Sequence, residues 1–112
     1  MAETLDGYQS RAADTAIYPG QGELTGLLYC ALGLGEAGEV QGKVKKLLRD
    51  HAGELTVVQR DAMGKELGDL LWYVAMTAHE LGLSLGDIAV ANLAKLASRR
   101  ERGVLGGNGD DR

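Results

Sequence analysis

The chain has 112 residues, of which 45% are apolar and 25% are charged, and its formal net charge is −4 at pH 7. This is the length of one globular domain. The acidic balance argues against a surface dedicated to duplex nucleic acid, because such surfaces carry an excess of basic residues. Glycine is unusually frequent, with 17 residues, but it follows no regular period, which excludes a collagen-like chain.

The pattern of the sequence is typical of an intracellular protein. Its single cysteine, Cys30, cannot form a disulfide within the chain and lies in an apolar run, so it is predicted to pack in the core. No signal-peptide pattern is present, and no apolar run approaches the roughly 18 residues of a membrane span. We therefore expect a cytoplasmic domain with neither a membrane nor a nucleic acid as its partner.

Four segments have helical periodicity, and none alternates as a strand does. They cover about residues 6–17, 23–50, 56–81 and 84–103, and Thr56 and Ser84 are the predicted N-caps of the last two. Residues 1–102 are thus predicted to form one all-α domain, similar to a four-helix bundle and built on two long central helices. Residues 103–112 contain four glycines and are predicted to form a loop or tail.

The third segment is apolar on two sides. One stripe of a 3.6-residue helix contains Met63, Leu67, Leu70, Leu71, Val74, Ala78 and Leu81. Trp72 lies almost opposite this stripe, with Met76 beside it. A helix with two apolar sides is usually buried on both, so the Trp72 side is predicted to meet a second subunit. The alternative is a single exposed tryptophan, which needs no partner.

The second segment places Gly35, Gly38 and Gly42 on one helical face. Glycine costs a helix about 1 kcal/mol relative to alanine, so these residues are expected to allow a neighbouring helix or a ligand to approach closely. In the competing interpretation, Gly33 and Gly35 break the segment into two helices. Periodicity alone does not decide between the two.

Two acidic pairs lie in the central segments. Glu36 and Glu39 are three residues apart, as are Glu66 and Asp69, so each pair projects from one side of a helix. If the two helices pack antiparallel, as a short connection favours, the four carboxylates face one another and a divalent cation relieves their repulsion. Oxygen ligands suit Mg²⁺, with Mn²⁺ as the alternative. The competing interpretation is two acidic pairs on solvated helix faces.

The fourth segment combines an apolar face with polar and basic residues. The predicted buried face contains Leu85, Ile88, Ala89, Leu93 and Leu96. Asn92 lies within this face, and Lys95 and Arg99 extend along its edge. Such a row suits an anionic phosphate. Alternatively, Asn92 caps a helix end and the two basic side chains cover apolar surface with their stems.

Three other residues have side chains that could bind a phosphate or a metal ion. Lys46 follows the first acidic pair in a cluster of lysines, so it is a candidate phosphate ligand or else part of a solvated face. His51 and His79 have no partner at zinc-ligand spacing and are predicted to be structural or exposed.

Together these motifs resemble the MazG-like all-α nucleoside triphosphate pyrophosphohydrolases. The acidic pairs match the ExxE…ExxD signature of that family, and residues 35–40 (GEAGEV) and 65–73 (KELGDLLWY) are similar to its two motif helices. Asn92, Lys95 and Arg99 resemble its substrate-side helix, and the resemblance covers about residues 17–112. Many members begin the first motif with two glutamates, whereas this chain has Gly35 at the first position. The number of metal ions and the glutamate that activates water therefore stay open.

The resemblance implies Mg²⁺-dependent hydrolysis of a nucleoside triphosphate to the monophosphate and pyrophosphate, a reaction that maintains the nucleotide pool. The implied metal ligands are Glu36, Glu39, Glu66 and Asp69. Glu36 or Glu39 would activate the attacking water, and the implied substrate contacts are Asn92, Lys95, Arg99 and Lys46. Trp72 or Tyr73 would stack on a base, or else pack in the core or at an interface.

A homodimer or homotetramer is expected from the same resemblance and from the Trp72 pattern. Two other functions stay open. One is a relative of narrow specificity that acts on phosphoribosyl-ATP or dUTP. The other is a non-catalytic helical oligomer whose acidic clusters only tune solubility or bind a partner.

Overall fold

The computed structural model describes residues 2–50 and 52–112, and within these ranges every regular element is helical, as predicted. The α-helices are α1 (Leu5–Ala13), α2 (Leu24–Gly33), α3 (Ala37–Asp50), α4 (Val57–Glu80) and α5 (Leu85–Glu101). A 3-10 turn, Leu34–Glu36, joins α2 to α3. His79 is exposed, as predicted, whereas the prediction for His51 lies outside the described residues.

The two predicted N-caps are confirmed by their hydrogen bonds. Thr56 Oγ1 accepts a hydrogen bond of 3.2 Å from the backbone N–H of Gln59, whose side chain accepts one of 2.8 Å from the Thr56 backbone N–H. This reciprocal capping box fixes the start of α4. At the start of α5, Ser84 Oγ accepts a hydrogen bond of 3.1 Å from the Asp87 backbone N–H.

The second predicted helix is interrupted, so the interpretation in which its glycines break it is correct. α2 ends at Gly33, and the 3-10 turn intervenes before α3 begins at Ala37. Gly33 lies so close to α4 that a Cβ atom there would overlap the ring of Tyr73. The break therefore lies at Gly33, where α2 contacts α4 so closely that only glycine fits.

The hydrophobic core lies between α1, α2, α4 and the start of α5, and it contains Ala12, Tyr18, Cys30, Ala75, Met76 and Leu85. Cys30 is fully buried, as predicted. Trp72 packs against this core, where its Nε1 donates a hydrogen bond of 3.0 Å to Thr15 Oγ1 and its ring meets Tyr18 edge-on. The prediction that the Trp72 side meets a second subunit is therefore wrong, because α1 and the segment after it cover this side within the chain.

The opposite stripe of α4 is the side left exposed. Leu67 is 53% exposed, and three further members of the stripe are also exposed, namely Leu71, Val74 and Leu81. The predicted buried face of α5 is likewise exposed beyond Leu85, at Ile88, Leu93 and Leu96. The reason is that α5 bends away from α4 by 100° and does not pack along it.

Two polar residues of α1 form hydrogen bonds to the end of α4 and the start of α5, and so stabilise the corner between these helices. The amide of Gln9 donates to the carbonyl oxygens of Ala75 (3.2 Å) and Leu83 (2.9 Å), and its Oε1 accepts a hydrogen bond of 3.0 Å from the backbone N–H of Leu85. Asp6 accepts hydrogen bonds from the Ser84 hydroxyl and the Gly86 backbone N–H, and these bonds lower the pKa of its carboxyl group. The corner thus depends on side chains that are more than 60 residues away in sequence.

Gln9→Leu is predicted to lower the free energy of unfolding by about 2 kcal/mol, because it leaves buried backbone groups without partners. Urea unfolding followed by circular dichroism measures this change. The control is Gln41→Leu at an exposed position of α3, which should change the free energy by less than about 0.5 kcal/mol. Equal effects of the two substitutions would contradict the role of Gln9.

The folded chain is more extended than a compact domain of its length. The radius of gyration of its Cα atoms is 17.0 Å. A compact chain of this size has a value of about 13 Å. Among the described residues, no single helix is both long and apolar enough to cross a membrane, although α4 and α5 taken together, with their 100° bend, reach the length and hydropathy of a span.

Candidate functional site

Three of the four predicted metal ligands converge. Glu36, Glu66 and Asp69 each present a carboxylate oxygen, and these oxygens lie within 4.8 Å of one another. Glu36 comes from the end of the 3-10 turn, whereas Glu66 and Asp69 lie one helical turn apart on α4. Glu36 and Glu66 are half-buried and Asp69 is exposed, so the group is open to a ligand from solvent.

Glu39 is exposed and does not belong to this carboxylate group. Glu36 ends the 3-10 turn, which packs on α4, whereas Glu39 lies in the first turn of α3 and is exposed to solvent.

An open cleft of about 360 Å³ adjoins the carboxylates, and it is lined by Thr15, Glu36, Asp69, Trp72 and Tyr73. The ring centroids of Trp72 and Tyr73 lie 5.2 Å apart, with the two rings nearly perpendicular. Burial, the neighbouring Tyr29 and the charges of Glu36 and Asp69 raise the pKa of Tyr73, so this phenol stays protonated and can donate a hydrogen bond at neutral pH.

Glycines leave free space around both acidic motifs. A Cβ atom placed on any of five residues would meet no atom within 4 Å, and these residues are Gly35, Gly38, Gly42, Gly64 and Gly68. They therefore differ from Gly33, which is required by close packing within the chain. The free space is consistent with the expected approach of a ligand or a further helix, and α2 to α5 of the same protomer do not fill it.

Lysines lie on the α3 side of the carboxylate group. Lys43 Nζ is 3.8 Å from Glu66 Oε1, a salt bridge that sequence spacing did not single out. Lys46 is exposed and shares a small cleft of about 190 Å³ with Lys43 and Gln59. The predicted phosphate ligand Lys46 thus shares a cleft with Lys43, the lysine that pairs with Glu66.

The other predicted substrate residues lie elsewhere in the protomer. No Cα atom of α5 is within 8 Å of one in α2, α3 or the 3-10 turn. Asn92 is exposed, whereas Lys95 and Arg99 both contact the carboxylate of Asp110 in the tail. With a rise of about 1.5 Å per residue and the bend between α4 and α5, Lys95 lies about 20 Å from Asp69.

Two contributors to these sites were missed in the sequence. Thr15 reaches the cleft only because α1 and its following segment fold over Trp72, and no spacing rule connects residues that far apart. Asp110 lies in a glycine-rich segment, where periodicity carries no signal, and its contacts with α5 depend on turns at the glycines between them.

The three-carboxylate group fits a hard divalent cation. Mg²⁺ and Mn²⁺ prefer oxygen ligands, and all the atoms that converge here are carboxylate oxygens, with neither sulfur nor imidazole among them. Three negative charges this close repel one another unless a cation or proton offsets them. The single lysine contact at Glu66 supplies one positive charge, which leaves the group with a net negative charge.

The fold and the site define an all-helical protein with a carboxylate group of the kind that holds divalent cations. The chain belongs to the MazG family, because the family model described as "MazG nucleotide pyrophosphohydrolase domain" matches residues 25–104. That range includes both acidic pairs and all of α5, so the resemblance seen in the sequence is confirmed. The family is metal-dependent, in agreement with the acidic group.

A curated relative with high identity is the "Gene 37 protein" of Mycobacterium phage L5. It is 51% identical over an alignment of 112 positions, which covers 96% of this chain and 98% of the relative. Its name states no activity. No solved structure matches this chain significantly.

Proposed function

We propose that this protein hydrolyses a nucleoside triphosphate to the monophosphate and pyrophosphate with the help of Mg²⁺, with Mn²⁺ as the alternative ion. The observation that carries this proposal is the convergence of Glu36, Glu66 and Asp69 beside an aromatic cleft. Membership of the MazG family supports the reaction class. A cytoplasmic role in maintaining the nucleotide pool follows from such an activity.

Each carboxylate has a proposed role. Glu36, Glu66 and Asp69 would hold the cation, which supplies positive charge that offsets the charge of the phosphates. Glu39, outside this group, is either a fourth ligand that closes in when the cation binds or the base that accepts the proton of the attacking water. Glu36 is the second candidate for that base. The anhydride between the α- and β-phosphates is cleaved, and pyrophosphate leaves.

The aromatic cleft is suited to the nucleoside. Trp72 and Tyr73 line it next to the carboxylates, so a base could lie against one of these rings while the phosphates extend toward Glu36 and Asp69. Trp72 is held by Thr15 and by its packing against Tyr18, which fixes the orientation of its ring before a ligand binds.

We propose that a second copy of the chain supplies the substrate contacts of α5. Asn92, Lys95 and Arg99 are proposed to hold the sugar and phosphates, together with Lys46. Within one protomer the Cα atoms of Lys95 and Asp69 are about 20 Å apart, and the Lys95 side chain contacts Asp110 in the tail and not the carboxylate group. We therefore propose a homodimer, or a homotetramer made of such dimers, in which α5 of one copy completes the carboxylate site of the other.

Two features of the protomer favour this assembly. Its apolar stripe on α4 and the apolar face of α5 are exposed, and an apolar cleft of about 550 Å³ lies between α3 and α4. Contiguous apolar surface of this kind usually marks an interface. The extended shape, with a radius of gyration of 17.0 Å, is also expected of a chain that completes its core by association.

A panel of ribo- and deoxyribonucleoside triphosphates tests the proposal. With Mg²⁺, we expect several of them to yield the monophosphate and pyrophosphate, and we expect EDTA to stop the reaction. Product identification by anion-exchange chromatography provides the measurement. Cleavage of dUTP or phosphoribosyl-ATP alone would favour the narrow-specificity function. No cleavage, together with no effect of Mg²⁺ on thermal stability, would favour the non-catalytic oligomer.

A further inference from the structure

The C-terminal segment after α5 folds back onto the helix that carries the proposed phosphate ligands. Gly103, Gly107 and Gly109 have positive φ angles of 73°, 95° and 86°, which only glycine adopts readily, and these turns reverse the chain. The side chain of Arg112 then holds the turn together by donating to backbone carbonyl oxygens of the segment, at Val104, Leu105, Gly106 and Gly109.

This fold brings the carboxylate of Asp110 to two cations of α5. Asp110 Oδ1 lies 3.1 Å from Lys95 Nζ and 3.3 Å from Arg99 Nη2. The hydrogen bonds and charges of these two residues, that of Lys95 first, lower the pKa of Asp110, so it is an anion at neutral pH. A carboxylate held by one lysine and one arginine occupies the position that a phosphate oxygen would take.

The ion-pair part of the contact is weak. The side chain of Asp110 is 83% exposed, and an ion pair exposed to this degree contributes little to stability. The backbone carbonyl oxygen of Asp110 also accepts a hydrogen bond of 2.5 Å from Arg99 Nη2. Arg99 differs, because its side chain is only 5% exposed and its buried Nε atom has no hydrogen-bond partner among the described residues. The guanidinium group therefore retains a donor that the tail does not satisfy.

We propose that Asp110 is an internal competitor for the anion site formed by Lys95 and Arg99. Its carboxylate occupies this site when no substrate is bound, and the polyphosphate of a nucleotide displaces it together with the glycine-rich segment. The tail thus sets the affinity of the site for anions. This inference rests on the proposed function only in taking Lys95 and Arg99 as substrate ligands.

Asp110→Asn removes the competing charge and retains the shape of the side chain, and Asp111→Asn in the same segment is the matched control. In Asp110→Asn, we expect the affinity for inorganic pyrophosphate, measured by calorimetry in EDTA, to rise about two- to five-fold, the range for an exposed ion pair. The KM for a triphosphate should fall by a similar factor with kcat unchanged. Asp111→Asn should change neither quantity, and the gain from Asp110→Asn should be smaller in a Lys95→Ala background, in which Arg99 is the one cation of the site that remains.

The pyrophosphate titration keeps this inference separate from the proposed function, because it requires neither a metal ion nor turnover. If no nucleotide is cleaved but Asp110→Asn still tightens pyrophosphate binding, the proposed activity fails and the competitor role stands. Unchanged or weaker pyrophosphate binding in Asp110→Asn would overturn the inference, since the tail would then support Lys95 and Arg99 instead of competing for them. An equal gain in Asp111→Asn would also overturn it, because general charge removal would explain the effect.

Discussion

Asp69→Asn is expected to lower kcat/KM by about two to three orders of magnitude. The substitution removes one of three converging carboxylates, so the cation binds less tightly and offsets less of the negative charge of the phosphates, at a cost of several kcal/mol. Calorimetric titration with Mn²⁺ in the absence of nucleotide measures the loss of cation binding directly. Thermal unfolding gives a second readout. Mg²⁺ should raise the Tm of the wild type, because it binds only the folded state, and should leave the Tm of the variant nearly unchanged.

The same substitution separates a functional site from a structural one. Without metal, Glu36, Glu66 and Asp69 repel one another, so the metal-free variant should be at least as stable as the metal-free wild type. Asp61→Asn, two turns earlier on α4 at an exposed position, is the matched control and should retain activity and the response to Mg²⁺. A variant at residue 69 that loses stability but binds Mn²⁺ normally would show that the carboxylate is structural.

Much of the fold follows from local signals in the sequence. α4 and α5 begin where Thr56 and Ser84 predict, because an N-cap acts through hydrogen bonds within its own first turn. The interruption of the second segment is harder to predict. Gly33 and Leu34 keep backbone angles close to those of a helix (φ −61° and −60°), so the break barely alters the periodicity. The position of the break instead coincides with a contact between distant residues, because Tyr73 on α4, 40 residues later in the chain, packs against Gly33.

The covered side of α4 shows the same limit. Periodicity correctly places Trp72 and Leu67 on different faces, but it contains no information on which face the rest of the chain covers. That choice is made by α1 through Gln9 and by the following segment through Tyr18, both distant in sequence. The side of α4 that carries Trp72 was expected to meet a second subunit, but the exposed side is the opposite one, with Leu67. That a second subunit covers this exposed side is still a prediction.

The parts of the candidate site that lie on one helix could be predicted from the sequence, whereas the parts brought together by packing between elements could not. Glu66 and Asp69 share a continuous helix, so their spacing was enough to place them together. Glu36 joins them through the packing of the 3-10 turn on α4, whereas Glu39 lies in the first turn of α3 and is exposed. The position of Lys95 depends on the 100° bend at the end of α4, which no motif in the helix encodes.

That bend leads to the prediction that most directly tests the shared site. Asp69→Asn and Lys95→Ala are each expected to reduce kcat/KM strongly when assayed alone. If the site combines the carboxylates of one copy with α5 of the other, a mixed dimer of the two variants contains one site with both defects and one site with neither. A random one-to-one mixture should therefore recover about one quarter of the wild-type activity.

The mixture is prepared by co-expressing the two variants with different affinity tags and purifying through both, and size-exclusion chromatography with light scattering checks the dimer. After double purification only mixed dimers remain, so about half of the sites should be intact. The control is a chain that carries both substitutions, co-expressed with itself, which should stay inactive. Recovery is impossible if each protomer uses its own α5, because every site would then contain one defect. The measured activity therefore distinguishes a site shared between copies from one closed by a movement of α5 within the protomer.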